Sequence, residues 1–143
     1  FFHPSQFDTI KVGEKDTLEL YCYEVSDAAG AHLQIEFDAE VITIDTVLIG
    51  DFFMNDTIGP IMFTDPIVFT DQQNGTLNIY LFYVPSLSSV SATGTMSMAK
   101  IAFTVKDEGS APIRYTDNTV LRGPSNNSIT LNKFGEGSIN ATQ

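Results

Sequence analysis

The sequence predicts an all-β fold, a single domain built as a two-sheet sandwich, and three observations predict it. Alternating apolar and polar residues recur in short runs, clusters of Gly, Pro, Asn, Asp and Ser separate the runs, and helical periodicity is nearly absent. The length of 143 residues suits one domain, and 43% hydrophobic content is enough to bury a core without disulfides or a structural metal. No internal repeat, linker or low-complexity tract divides residues 1–143.

Nine strands are predicted, in order. Phe7 to Val12 comes first. Thr17 to Val25 follows and puts Leu18, Leu20 and Cys22 on one face, so Cys22 reads as a small buried hydrophobe. In Ala31 to Phe37, Leu33, Ile35 and Phe37 point one way and His32, Gln34 and Glu36 the other, a core face and a polar outer face. Val41 to Ile49 is the fourth strand and a weaker stretch around Ile67 to Thr70 the fifth. Thr76 to Val84 is unusual: Leu77, Ile79, Leu81 and Tyr83 share one face, Asn78, Tyr80 and Phe82 the other, and both carry large apolar groups. Such a strand is either buried on both sides or covered on one side by a partner. Met96 to Lys106, Ala111 to Tyr115 and Gly137 to Ala141 complete the set. About nine strands suit a sandwich.

The punctuation agrees. Asp71-Gln72-Gln73-Asn74-Gly75 reads as a hairpin turn whose Asn74-Gly75 pair supplies positive φ, and Lys106 to Pro112 turns the chain again. Asp51 to Pro66 is expected to be irregular yet partly packed, and Ser86 to Thr95 to be a flexible surface loop.

Charge excludes whole classes of partner. Seven Lys and Arg stand against 18 Asp and Glu, a formal net charge of −11. Residues 1–71 hold 14 acids and two bases, a net of −12, and residues 72–143 hold 4 acids and 5 bases, a net of +1. No Lys or Arg occurs between Lys15 and Lys100. Phosphate backbones need clustered positive charge, so nucleic acid is excluded as a main partner, and an anionic membrane surface is disfavoured for the same reason. The apolar runs are strand length, far short of the roughly 20 residues of a membrane helix, so no membrane insertion is expected. The first residues do not read as a signal peptide, which makes the chain look like a mature or excised segment.

Chemistry is sparse. Cys22 is the single cysteine, which leaves no internal disulfide and no thiolate zinc cluster. His3 and His32 are the only imidazoles; no G-x-S-x-G elbow accompanies them, and His32 reads as a surface or interface residue. Eighteen acids guarantee accidental carboxylate pairs, and Trp, the usual sugar-stacking residue, is absent. Asp51, Asn55, Asp56 and Asp65, with Asp71, Gln72 and Asn74 in the next turn, could ligate calcium, but no D-x-D-x-D-G loop is spelled, and they read as solvated loop residues. N-x-[ST] sites stand at Asn55, Asn74, Asn126 and Asn140. No catalytic residue, metal site or cofactor is assigned.

The order of motifs carries a family resemblance. Val12-Gly13-Glu14-Lys15-Asp16-Thr17-Leu18-Glu19-Leu20 resembles the opening "v-x-x-G-d-x-v-x-v" of cohesin modules. Gly30 through Phe37-Asp38-Ala39-Glu40-Val41-Ile42 is similar to their "G-x-x-x-F-x-x-x-Y-D-P-x-V-L". Gly94 through Ala99-Lys100-Ile101-Ala102-Phe103-Thr104-Val105-Lys106 resembles "G-x-L-a-x-I-x-F-x-V-k", and Gly135-Glu136-Gly137-Ser138-Ile139-Asn140-Ala141 resembles the closing "x-x-G-x-I-x-V". Ala39 departs from the usual Pro, and Met98 stands where Leu is common. The resemblance covers about residues 7–141.

That resemblance implies a nine-stranded jelly-roll sandwich, non-catalytic, secreted or at the cell surface, that binds a dockerin-containing protein in polysaccharide-degrading assemblies. Dockerins are small helical domains with two calcium-binding loops, so calcium is expected on the partner and no cofactor here. The family docks through a sheet face that corresponds to the third, fifth, sixth and eighth predicted strands. The third contributes His32, Gln34 and Glu36. The sixth contributes either Leu77, Ile79, Leu81 and Tyr83 or Asn78, Tyr80 and Phe82; the family pattern favours Ile79, Leu81 and Tyr83, whereas simple alternation buries the more aliphatic face, and a one-residue slip exchanges the two. The expected binding set is thus His32, Gln34, Glu36, Ile79, Tyr80, Leu81 and Tyr83. The alternatives are a carbohydrate-binding module using Tyr21, Tyr23, Tyr80 and Tyr83 as its platform, or a structural adhesin or surface-layer domain.

Overall fold

The computed structural model describes residues 1–53, 67–82, 92–125 and 127–143. Its strands are β1 (Phe2–His3), β2 (Gln6–Lys11), β3 (Lys15–Ala28), β4 (Gly30–Phe37), β5 (Ile42–Ile49), β6 (Ile67–Asp71), β7 (Thr76–Phe82), β8 (Ala92–Val105), β9 (Gly109–Tyr115), β10 (Val120–Arg122), β11 (Ser128–Ile129) and β12 (Glu136–Thr142). Each of the nine predicted strands corresponds to one of these. The additions, β1, β10 and β11, are two or three residues long, too short to show a period.

Two sheets stack as a sandwich. One runs β1-β3-β8-β5; the other runs β11-β10-β4-β9-β12-β2, with β7 on the remaining edge of β4 and β6 outside β7. The first sheet sends Leu18, Leu20, Ile101 and Phe103 inward against Leu33, Ile35, Leu77, Ile79, Leu81, Ile113 and Ile139 from the second, none more than 2% exposed. Burying one such side chain stabilises by about 1.5–3 kcal/mol relative to leaving it in water. Period-2 alternation therefore determines which face of each strand meets the other sheet.

Two differences from expectation have local causes. The predicted Ser86 to Thr95 loop is strand from Ala92 onward, because β3 runs on to Ala28 and pairs Val25 with Gly94 and Ala28 with Ala92 across bulges. There Glu24 and Asp27 take positive φ, and their N–H groups donate to the hydroxyls of Thr95 and Thr93. Side-chain oxygens thus replace the ladder acceptors that the bulges displace. The remainder of that loop, residues 54–66 of the irregular segment, and the end of the Thr76 to Val84 strand lie outside the described residues.

The turn between β6 and β7 also joins the sheets. Ile44 N–H donates to Gln72 Oε1 at 3.1 Å, and Gln72 Nε2 donates to Ile42 O at 2.9 Å. One side-chain amide thereby satisfies two groups on the outer edge of β5, the edge strand of the smaller sheet. Within the turn Gly75 has φ +72°, a Cβ there would fall 2.1 Å from Phe37 O, and Gly75 O accepts from Phe37 N–H. Glycine is required on both counts.

Candidate binding face

The outer face of the larger sheet is built by four adjacent strands, β6, β7, β4 and β9, with β10 continuing beside the first half of β4. These are the fifth, sixth, third and eighth predicted strands. Residues paired across neighbouring strands point to the same side, so the register arranges the outward residues in rows. Phe82, Gly30 and Arg122 form one row; Ile67, Tyr80, His32 and Val120 the next; Phe69, Asn78 and Gln34 the third; Asp71, Thr76, Glu36 and Arg114 the fourth. Arg122 apart, the face grades from apolar and aromatic at one end to charged at the other.

The apolar end is organised by rings. The His32 and Tyr80 rings stack with centroids 4.4 Å apart, and the Phe69 ring meets Tyr80 edge-on at 6.1 Å. Phe69 and Ile67 are 62% and 43% exposed, the combination of large apolar groups and solvent contact that marks interaction surfaces. Gly30 has no side chain, and a groove of about 780 Å³ opens above it between Tyr80, Phe82, Arg122 and Pro124.

The middle row is a hydrogen-bonded network. His32 Nε2–H and Gln34 Nε2 both donate to Asn78 Oδ1 at 2.9 Å. Gln34 Oε1 in turn accepts from Thr116 Oγ1 at 2.6 Å and Asn118 Nδ2 at 2.9 Å. Gln34 stands where β4 changes neighbour from β10 to β9, and the 116–119 turn fills that break, with Thr116 N–H donating to Gln34 O. Such a network holds its side chains in one orientation before any ligand arrives. In the fourth row Arg114 Nε lies 3.7 Å from Glu36 Oε2, an exposed pair worth at most about 1 kcal/mol.

The expected binding residues divide on this geometry. His32, Gln34, Glu36 and Tyr80 all lie on the outer face of this sheet. Ile79 and Leu81 do not: they are 0% and 1% exposed and pack between the sheets, because β7 pairs Ile79 with Leu33 and Leu81 with Ala31 of the core-facing set. The family-pattern choice of face is thus corrected, and Asn78, Tyr80 and Phe82 replace it. Tyr83 lies outside the described residues. Ile67 and Phe69 join this face beyond the expected set, and their i, i+2 spacing in a short strand is the sequence signal that finds them. Val120 and Arg122 sit on an unpredicted strand that carries no such signal.

Elsewhere the chemistry is structural. Asp71 Oδ2 accepts from Asn74 Nδ2 and Oδ1 from Asn74 N–H, and the Asn74 side-chain bond is the main cause holding the Asp71 carboxyl below the usual range. Gln72 Oε1 is committed to β5, and both Asp71 oxygens are engaged within the turn. Among the described residues no group of three His, Cys, Asp or Glu side chains could hold a metal ion, while Asn55, Asp56 and Asp65 lie outside them, as does Asn126. Cys22 is buried, its thiol is pushed up chiefly by burial, and Sγ contacts Met96 O at 3.6 Å.

Comparison with known proteins places this geometry. Residues 6–141 match the family model of the cohesin domain. The type II cohesin dyad from the adaptor ScaA scaffoldin of Acetivibrio cellulolyticus superposes with a TM-score of 0.75 at 18% identity over 94% of this chain, which spans 47% of that two-module protein. A non-cellulosomal cohesin from the archaeon Archaeoglobus fulgidus gives a TM-score of 0.69 at 13% identity, covering 96% of this chain and 89% of that one. The sixth cohesin of Acetivibrio cellulolyticus scaffoldin B, solved in complex with a mutant Cel5 dockerin, gives 0.72 at 14% identity, with 96% of each chain covered. At these identities the structural likeness establishes the jelly-roll sandwich. A search of curated protein sequences returned no match.

Proposed function

The chain belongs to the cohesin-domain family, and from that premise we propose that it is a non-catalytic module that binds the dockerin of a second protein. The observation that carries the reading is the outer face of β6, β7, β4 and β9, where the exposed Phe69 beside the half-buried Tyr80 and His32 rings, a prearranged amide network and a charged margin lie on neighbouring strands of one sheet. Exposed aromatic and apolar groups bordered by polar and charged ones are a common make-up of protein-binding surfaces. The solved cohesin of scaffoldin B, similar in fold, holds a dockerin, which supports the same partner class here.

On this reading His32, Gln34, Glu36, Asn78, Tyr80 and Phe82 contact the partner, joined by Ile67, Phe69 and Arg114. Any calcium in the complex belongs to the dockerin. The module acts outside the cell or at its surface, as part of a scaffold in polysaccharide breakdown. Family membership and the absence of Trp disfavour a carbohydrate-binding module. Titration calorimetry of the purified chain against a panel of dockerins in calcium-containing buffer tests the proposal. Saturable one-to-one binding to at least one is expected, and silence toward the whole panel refutes it.

A further inference from the structure

The two sheets do not close on each other along their whole length. β9 ends at Tyr115 and β10 begins at Val120, while β1 pairs with β3 only at Glu19 and Leu20. Between these breaks lies a cavity of about 490 Å³, with walls from both sheets. Its floor is core: Cys22, Val25, Leu33, Met98 and Leu121 are all buried. Its outer wall is the segment 130–134, which leaves β11 without regular structure and crosses to β12. There Leu131 and Phe134 are half-buried and pack on the core, whereas Thr130, Asn132 and Lys133 are exposed and, with Glu24, mark the mouth. The Phe134 ring lies 5.8 Å from that of Tyr115, and the Phe1 and Tyr23 rings meet edge-on at 6.4 Å. Four rings thus line one cavity.

The polar atoms of its wall are already engaged. Tyr115 Oη donates to Phe1 O at 3.2 Å, and the Phe1 amino group, at the rim, donates to Tyr21 O at 2.7 Å. Thr119 Oγ1 donates to Gln34 O at 3.1 Å and accepts from Gln34 N–H at 3.0 Å. Burial raises the Cys22 thiol and the Tyr115 phenol alike, so both stay neutral near pH 7. A charged or strongly polar guest would lose its hydration with nothing in the interior to replace it. An apolar guest displaces only water held loosely by apolar walls.

We propose that this cavity, walled by Met98, Tyr115, Ile129, Leu131 and Phe134, is a binding site for one small uncharged aromatic molecule, held by ring contacts and shape. Its volume lies within the roughly 300–1,000 Å³ of small-molecule sites. The Tyr115 and Phe134 rings offer a guest ring the stacked and edge-on contacts that aromatic groups prefer, and the flexible Met98 thioether adapts to its outline. The cavity shares no lining residue with the groove over Gly30 on the outer face, so the site stands whether or not a dockerin is bound.

The test titrates the purified chain with N-phenyl-1-naphthylamine, an uncharged aromatic dye whose fluorescence rises in apolar surroundings. Saturation at one dye per chain is expected, with a thermal midpoint that rises with dye concentration because the folded state is the one bound. Labelling of Cys22 by methyl methanethiosulfonate should slow about fivefold or more at saturating dye, since the thiol lines the cavity. Ile129→Trp and Leu131→Trp fill the cavity from its outer wall and should each weaken dye binding about tenfold or more, whereas Tyr80→Ala, on the outer face of the larger sheet, should leave it within about twofold. Thermal melts screen folding, and the Cys22 labelling decides the matter if neither Trp variant folds. Absence of saturable binding, a dye that lowers the midpoint, unchanged Cys22 labelling, or binding lost in Tyr80→Ala and kept in the Trp variants overturns the site.

Discussion

The His32 ring lies flat against the Tyr80 ring, planes 6° from parallel, while the next residue along β7, Leu81, is 1% exposed in the core. One strand therefore serves two surfaces, the outer face of the sheet with its even-numbered residues and the sandwich interior with its odd-numbered ones. Substitutions at 80 and 81 are expected to separate function from stability. Tyr80→Asp puts a charge into the aromatic row and should weaken dockerin binding at least 100-fold with a thermal midpoint within a few degrees of wild type. Leu81→Ala should instead cost about 2–5 kcal/mol of unfolding free energy in urea titrations. Equal destabilisation by both would mean that Tyr80 is core.

Gln72 closes the edge of β5, and its removal leaves Ile44 N–H and Ile42 O without their side-chain partner. Ile42 is buried and Ile44 half-buried, and truncating Gln72 lets water reach the freed groups in part. Gln72→Ala should therefore lower stability by about 1–2 kcal/mol, toward the low end of the cost of an unsatisfied polar group. Amide hydrogen exchange at Ile44 should speed up more than at any residue of β8.

The Asp71 carboxylate, held below its ordinary range by Asn74, makes the turn sensitive to acid. A depressed folded-state value means that the stabilisation is present above the unfolded carboxylate value of about 3.9 and is lost as the pH falls through the lower folded value. Asp71→Asn should flatten the acid limb of a stability-against-pH curve and lower the plateau above pH 6 by a constant amount, because the carboxylate's contribution is fully present there. An unchanged acid limb would show that the turn bonds contribute no net free energy.

The strands of the proposed face lack positive charge except for Arg114 and Arg122, and the chain carries a net charge of −11. A partner that supplies Lys or Arg should be steered to the face. The association rate should fall by roughly tenfold between 0.05 and 0.5 M NaCl as the Debye length shortens, with a smaller change in the dissociation rate. A salt-independent association rate would remove steering and leave the apolar contacts in place.

How much of this was legible in advance depends on how lopsided each strand is. In Ala31 to Phe37 one face is wholly apolar and the other polar, so His32, Gln34 and Glu36 were assigned outward without ambiguity, and the structure places them there. The short strand of Ile67 and Phe69 shows an apolar i, i+2 pair in the sequence, but five residues do not say which face meets the core. Val120 and Arg122 were invisible, since three residues cannot display a period of two convincingly and their strand exists only because β4 supplies an edge for it.

The sequence by itself determined the all-β sandwich, the core-facing residues of the lopsided strands, the acidic balance and the family motifs, because period-2 alternation and turn chemistry are local and need no partner to be read. Which face of Thr76 to Val84 meets the other sheet was decided only by the tertiary structure. Both faces carry large apolar side chains, so alternation is nearly symmetric there and a one-residue slip costs little in hydrophobicity. The tie is broken by pairing: residues opposite one another share a side of the sheet, Leu33 opposes Ile79 and His32 opposes Tyr80, and β4 tolerates only one inward set.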